Sequence, residues 1–183
     1  MRRSVWLAAE VVVVVVLGML VAGCSSEGSD PPQVLELPRG EAAVVEYVND
    51  GDTLRTGDGR RVRLVQIDAP ELHGDCFGKA ALSALRRLAP PGSHISLVRD
   101  PALDAKDRYG RLLRYVFVGE RNVNLALVRE GAASPYFFRK QRGRYAGALL
   151  DAVDAARVAR RGYWGACPDA RLKTGLGSVT GPE

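Results

Sequence analysis

Past residue 40 the chain alternates between short runs rich in valine, isoleucine and leucine and longer runs in which apolar residues recur every three or four positions. Residues 42–48 are rich in Val and Ala and end at the turn formers Asn49, Asp50 and Gly51, which predicts a first strand meeting a tight turn. Residues 53–56 and 60–67, separated by Gly57, Asp58 and Gly59, predict two strands joined as a hairpin. By the period-2 rule Val62 and Leu64 share one face of the second strand, while Arg63, Val65 and Ile67 share the other. Arg63 must therefore lie where that second face meets solvent or a ligand. Two more strands are predicted over residues 95–99 and 112–118. Helical spacing links Phe77, Ala81, Leu85 and Leu88, with Pro90, Pro91 and Gly92 forcing a stop. The same spacing links Tyr145, Leu149, Ala152, Ala156 and Ala159, with Gly162 placed as the C′ residue. A shorter helix over residues 123–130 ends at Gly131. Five strands with about three interspersed α-helices, and no internal repeat, predict a β-barrel with helices, an α+β fold.

The first forty residues have a different character. Met1, Arg2 and Arg3 precede an apolar run over residues 11–22, which leads to Val21, Ala22, Gly23 and Cys24. This reads as an export signal, 1–23, ending in a lipobox. The run falls short of the roughly 20 residues a spanning helix needs, which makes a transmembrane anchor the weaker reading. Glu10, at the edge of the run, is unusual in a signal. On the export reading the mature chain begins at a lipidated Cys24, residues 24–40 form a flexible tether too polar to bury a core, residues 41–168 form one domain, and 169–183 form a disordered tail. The protein would then be exported and held on the outer side of the cell membrane by its lipid. Charge adds little. Taking Arg2, Arg3 and Glu10 from 26 basic and 21 acidic residues leaves 24 and 20, a mild excess that allows a polyanionic partner without requiring one. The local run from Arg139 to Arg144 says more, because it follows Tyr136, Phe137 and Phe138, and aromatic rings beside basic residues suit base stacking with phosphate attraction. It reads equally as a solvated loop before a helix.

Three stretches carry candidate chemistry: Asp50 to Thr53, Arg63 to Glu71, and Asp107 to Arg111. Asp52, Asp68 and Glu71 are the carboxylates placed to converge, and a hard cation such as Ca²⁺ takes oxygen ligands only, with backbone carbonyls and water completing its shell. No Cys or His pair nearby has zinc spacing. Arg63 and Arg111 flank the acids, and a guanidinium fork matches two phosphate oxygens where lysine offers a point charge. Taken singly these residues have blander readings: a D-G-D-T run is most often a turn, and isolated arginines form surface ion pairs worth little. His73 and His94 read as exposed loop histidines, and Trp164 as the residue that locks the last helix onto the barrel.

Together, in this order, the stretches resemble the thermonuclease family, the staphylococcal nuclease-like domains. The D-G-D-T turn is met by Asp50 to Thr53. The pattern R-x-x-x-[VI]-D-[TA]-P-E is met by Arg63, Ile67, Asp68, Ala69, Pro70 and Glu71, and D-[KR]-Y-G-R by Asp107 to Arg111. An A-L-[VL]-x-x-G run appears as Ala126 to Gly131. The resemblance covers roughly residues 41–167. It implies an OB-fold, a five-stranded barrel, in which Asp52 and Asp68 ligate Ca²⁺ directly and Ala69 does so through its carbonyl. It further implies that Glu71 activates water and that Arg63 and Arg111 carry the developing phosphate charge. Tyr109 and Arg108 would hold a phosphate, and Tyr136 or Phe137 would stack on a base, although the tyrosine pair usual in that region is only approximated here. Exported members of the family carry cysteines near the positions of Cys76 and Cys167, which implies a disulfide, two buried free thiols being the alternative. The implied activity is Ca²⁺-dependent hydrolysis of DNA and RNA, preferably single-stranded, to 3′-phosphate products. The rival is a non-catalytic OB module that binds nucleic acid.

Overall fold

A computed structural model describes residues 40–170. The segment read as an export signal, Cys24, residues 25–39 of the expected tether and residues 171–183 of the expected tail lie outside the described residues. In chain order the elements are β1 (Glu41–Val48), β2 (Thr53–Thr56), β3 (Arg61–Leu64), β4 (Ile67–Asp68), α1 (Gly78–Leu88), β5 (His94–Val98), β6 (Leu112–Val118), β7 (Arg121–Asn122), α2 (Val123–Arg129), β8 (Ser134–Pro135), α3 (Ala146–Val158) and α4 (Tyr163–Ala166). Strands β3, β2, β1, β5 and β6 are neighbours in that order, and a parallel β3–β6 pairing closes them into the expected five-stranded barrel. Closure depends on β1 serving two partners. Its first half pairs with β5 (Glu41 opposite Leu97) and its second half with β2 (Val48 opposite Leu54), with an irregular register between Val45 and Tyr47. Such an irregularity bends a strand around a barrel corner.

Leu54, Val62, Leu64 and Ile67 fill the interior with the buried faces of the helices, Ala81, Leu85 and Leu88 from α1, Val123, Leu127 and Val128 from α2, and Leu149, Val153 and Ala156 from α3. The expected helical spacing falls on the packing face at Ala81, Leu85, Leu88, Leu149, Ala152 and Ala156, whereas Ala159 is the exposed C-cap of α3. α2 starts at Asn122, whose side chain accepts a hydrogen bond from Leu125 N, the usual way to satisfy an orphan donor at a helix start. No helix among the described residues is long and apolar enough to cross a membrane.

Two local expectations are corrected. The strand predicted over residues 60–67 stops at Leu64, because Gln66 adopts a left-handed conformation with φ of 62°. Tertiary hydrogen bonds hold it there: Gln66 Oε1 accepts from Tyr115 Oη (3.0 Å) and from Gly143 N (2.9 Å), and its Nε2 donates to Gln141 O (2.8 Å). Beyond this break the chain turns off the barrel, and Asp68 comes to lie opposite Ser134 in a short antiparallel ladder. The second correction is at the end of α3. Arg161 N donates to Ala156 O and Arg160 N to Arg157 O, the Schellman pattern, which makes Arg160 the C′ residue, at φ of 49°. Gly162 instead precedes α4 as its N-cap. A side chain in the left-handed region carries a cost that glycine avoids, so Arg160→Gly is expected to stabilise the fold by about 0.5–1 kcal/mol, read as a higher urea midpoint.

α4 packs where α2 ends. Tyr163 N donates to Gly131 O at 2.8 Å, and the rings of Tyr163 and Trp164 meet edge to face at 5.2 Å. Tyr163 thus ties α4 to Gly131, and Trp164 buries its ring in the same core. The next residue after α4 is Cys167, disulfide-bonded to Cys76 across 91 positions, which is the pairing expected over two free thiols.

Candidate active site

The turn before β2 is shaped by its own side chains. Asp50 Oδ1 accepts a hydrogen bond from Asp52 N at 3.0 Å, and a Cβ on Gly51 would sit 2.5 Å from Ala69 Cβ and 2.8 Å from Ala81 Cβ. Glycine is needed there for the turn to press against the segment after β4. That contact carries Asp52 to Ala69, whose N–H donates to Asp52 Oδ2 at 2.9 Å. Thr53 Oγ1 and Arg63 Nε both donate to Asp52 Oδ1, each at 3.0 Å.

Arg63 leaves β3 on the face anticipated for it, but its guanidinium is already engaged. Nη1 donates to Leu64 O (2.8 Å) and Ile67 O (2.7 Å), and Nη2 to Asp68 Oδ1 (2.8 Å). With Nε on Asp52, these bonds use four of its five N–H donors. Arg63 thus bridges the two aspartates expected to hold a cation, and the break at Gln66 is what brings the Ile67 carbonyl within its reach. Burial pushes the Asp52 carboxyl up to about 7; Arg63 opposes this, while Asp50 and Asp68 add to it through like charge.

Arg111 enters from the opposite side. Its Nε donates to Asp107 Oδ2 at 2.6 Å and its Nη1 reaches Thr53 Oγ1 at 3.4 Å, which links Asp107, Arg111, Thr53 and Asp52 in one chain. Asp107 Oδ1 also accepts the backbone N–H groups of Tyr109 and Arg111. Burial raises the Asp107 carboxyl, but these bonds outweigh it and hold it below the ordinary carboxylate value. A depressed carboxyl contributes its clamp above the ordinary carboxylate range and loses it as pH falls through the lowered value. Asp107→Asn is therefore expected to weaken mononucleotide binding at neutral pH and to flatten the loss of binding expected of the wild type below about pH 4, as followed by fluorescence titration.

Around these residues lies a cavity of about 330 Å³ lined by Asp50, Asp52, Asp68, Glu71, Arg111 and Tyr136, among others. Glu71 is exposed, its backbone N–H donates to Asp75 Oδ2 at 2.9 Å, and its carboxylate makes no hydrogen bond or ion pair with the described residues. A second cavity of about 580 Å³ shares Arg63, Arg111 and Tyr136 and adds Arg108, Tyr109 and Phe138. Tyr109, 57 % exposed, offers its ring beneath the guanidiniums of Arg108 and Arg111, at 4.8 and 5.5 Å from the centroid, and Arg108 Nη2 donates to its hydroxyl at 2.5 Å.

Phe137 does not meet its expectation as a stacking ring. It is 3 % exposed, with the Arg142 guanidinium 5.1 Å from its ring centroid, whereas Phe138 is 51 % exposed and faces the larger cavity. Glu71 lines the same cavity as Asp52 and Asp68 without joining them: among the described residues no three His, Cys, Asp or Glu side chains form a group that could hold a metal ion. His73 and His94 are exposed, as expected. A hard cation still fits the two aspartates. Both are oxygen donors, Asp52 is buried with its carboxyl destabilised by neighbouring negative charge, and backbone oxygen and water are acceptable to Ca²⁺ elsewhere in its shell.

Three contributors have no role assigned by the sequence. Thr53 bridges Arg111 to Asp52, Gln66 turns the chain, and Asn124, fully buried, receives Val116 N and donates to Val65 O to fix the start of that turn. Thr53 and Asp107 lay inside the D-G-D-T and D-[KR]-Y-G-R runs without a role of their own, whereas Gln66 and Asn124 left no trace.

Comparison with known proteins bears on the family. The chain is 36% identical to a thermonuclease of Staphylococcus intermedius over 109 residues, 55% of this chain and 62% of that protein. It is 37% identical to Endonuclease YhcR of Bacillus subtilis (strain 168) over 51% of this chain but 9% of that one. To Protein ParB of Escherichia coli it is 38% identical over 141 residues, 69% of this chain and 72% of that one. The chain thus spans less than two thirds of the first two relatives. The family described as staphylococcal nuclease homologue matches residues 61–166, from β3 through α4. With the closed barrel and the three motifs meeting at one cavity, this places the chain in the staphylococcal nuclease homologue family.

Proposed function

We propose that the protein is a Ca²⁺-dependent nuclease that hydrolyses phosphodiester bonds of DNA and RNA on the 5′-oxygen side, leaving 3′-phosphate ends. The observation that carries this reading is the Glu71 carboxylate, without a partner among the described residues, lining the same cavity as Asp52, Asp68 and Arg111. A carboxylate with no competing donor is free to accept a proton from a water molecule attacking phosphorus in line, and general-base catalysis of this kind contributes about 10²–10⁴-fold. Arg111, oriented by Asp107, donates to a non-bridging phosphate oxygen as its charge grows, and Arg63 adds its remaining N–H. The expelled 5′-oxygen takes its proton from solvent. Asp52, Asp68 and the Ala69 carbonyl are the groups that would hold Ca²⁺, which when bound supplies Lewis-acid polarisation of the phosphate. Tyr109 and Arg108 bind a neighbouring phosphate, and Tyr136, with Phe138 in place of Phe137, stacks on a base. Unstacked single strands suit such a site best. Cys24 would carry the lipid that holds the enzyme on the outer side of the cell membrane.

The test is incubation of single-stranded DNA and of RNA with the protein in millimolar Ca²⁺, with and without chelator, and analysis of the new ends. The expected result is cleavage that stops on chelation, returns with Ca²⁺ and leaves 3′-phosphates. Binding without cleavage in every condition would favour the non-catalytic OB module.

A further inference from the structure

Glu71 is placed by backbone alone. Since its carboxylate has no partner among the described residues, its distance from the cavity is set by the path of residues 69–77. The start of that path is fixed by Ala69 N–H on Asp52, beside the barrel, and by the Asp68–Ser134 pairing with β8. In its middle, Glu71 N–H is held by Asp75, and the Glu71 carbonyl packs so closely on Gly78 that a Cβ there would lie 2.0 Å from it. Movement at the start of α1 would therefore be passed directly to Glu71.

That start is weakly secured by its own residues. Phe77, the N-cap of α1, makes no side-chain capping bond and sits at φ of 73°, a conformation that an aromatic residue keeps only when its surroundings impose it. Phe77 packs against the core, and the adjacent Cys76 ties the same point of the chain to Cys167. Cys167 in turn is rigidly mounted: its N–H donates to Tyr163 O at 3.0 Å, and α4 is tied to Gly131. The disulfide thus connects the loop carrying Glu71 to the helical layer, while Asp52, Asp68, Arg63 and Arg111 are held by their own network on the barrel.

We infer that the Cys76–Cys167 disulfide is the positioning element of Glu71: by fixing the loop to α4 it holds the carboxylate at its working distance, and breaking it lowers turnover while sparing cation and substrate binding. This rests on Glu71 being the base. A displacement of about 1 Å at a reacting group can cost on the order of 10²-fold.

The experiment compares the full chain with its Cys76→Ser/Cys167→Ser double variant, and with wild type reduced by a phosphine, at a temperature where near-ultraviolet circular dichroism shows all three folded. The expected result is a kcat at least about tenfold lower, KM and calorimetric Ca²⁺ affinity within about twofold of wild type, and faster amide exchange confined to residues 70–78. Unchanged kcat, or a parallel loss of kcat, substrate binding and Ca²⁺ affinity, overturns the inference. Should the double variant not fold, exchange in the reduced wild type decides, and unchanged protection at residues 70–78 overturns it. An inactive oxidised wild type, or a fully active Glu71→Ala, would instead overturn the assignment of the base.

Discussion

Glu71→Ala is expected to lower turnover by about 10²–10⁴-fold, the span that a positioned general base contributes, while Ca²⁺ affinity, nucleotide binding and thermal stability stay near wild type. The separation follows from geometry. Glu71 is exposed and its carboxylate holds no other described residue, so its removal leaves no orphaned partner and no cavity in the core. Glu71→Gln keeps the shape and removes the basicity, and is expected to be as impaired as the alanine variant. Steady-state kinetics with calorimetric Ca²⁺ titration checks both halves. A variant that loses Ca²⁺ binding with activity would make Glu71 a ligand; one that keeps its activity would remove it from the mechanism.

Arg63→Ala is expected to act on stability and activity together. Its guanidinium holds Asp52, Asp68 and the carbonyls of Leu64 and Ile67, and the side chains of the Arg63–Asp52 pair are only 13% and 10% exposed. Removing one partner of a buried pair costs about 3–5 kcal/mol because the other charge is left uncompensated. Loss of a preorganised donor at the phosphate adds about 10²–10³-fold in turnover. Lysine cannot serve four acceptors from a single ammonium, so Arg63→Lys should recover little of either. Urea unfolding and kinetics on the same preparations measure the two effects. A stable but inactive Arg63→Ala would show that the bridge seen between the aspartates contributes nothing to folding.

The barrel strands were legible because each is short and either rich in apolar residues or bounded by its own turn residues, as at residues 42–48 before Asn49, Asp50 and Gly51. The site was legible for a related reason. Asp52, Arg63, Asp68, Glu71 and Arg111 sit within or beside turns whose local chemistry announces them, and the structure brings all five to one cavity. What was not legible depends on distant partners. The break at Gln66 is set by Tyr115, 49 positions away, and Gly143, 77 away, and a glutamine inside an alternating run gives no warning of it. Nothing in three adjacent aromatics says that Phe137 is the buried one and Phe138 the exposed one. The end of α3 misled for a local reason: Gly162 has the profile of a C′ residue, while Arg160 takes that position because the Schellman bonds close there. Likewise the arginine motif announces a phosphate ligand, yet only the fold reveals that Arg63 first serves the aspartates beside it.

On the proposed reading this cavity hydrolyses nucleic acid and does not merely bind it. The most direct measurement follows a fluorescently labelled single-stranded DNA with wild type and Glu71→Gln side by side in Ca²⁺, recording anisotropy for binding and gel mobility for cleavage. Both proteins are expected to bind and only the wild type to cut. Wild type that binds without cutting, or Glu71→Gln that cuts at the wild-type rate, would contradict that reading.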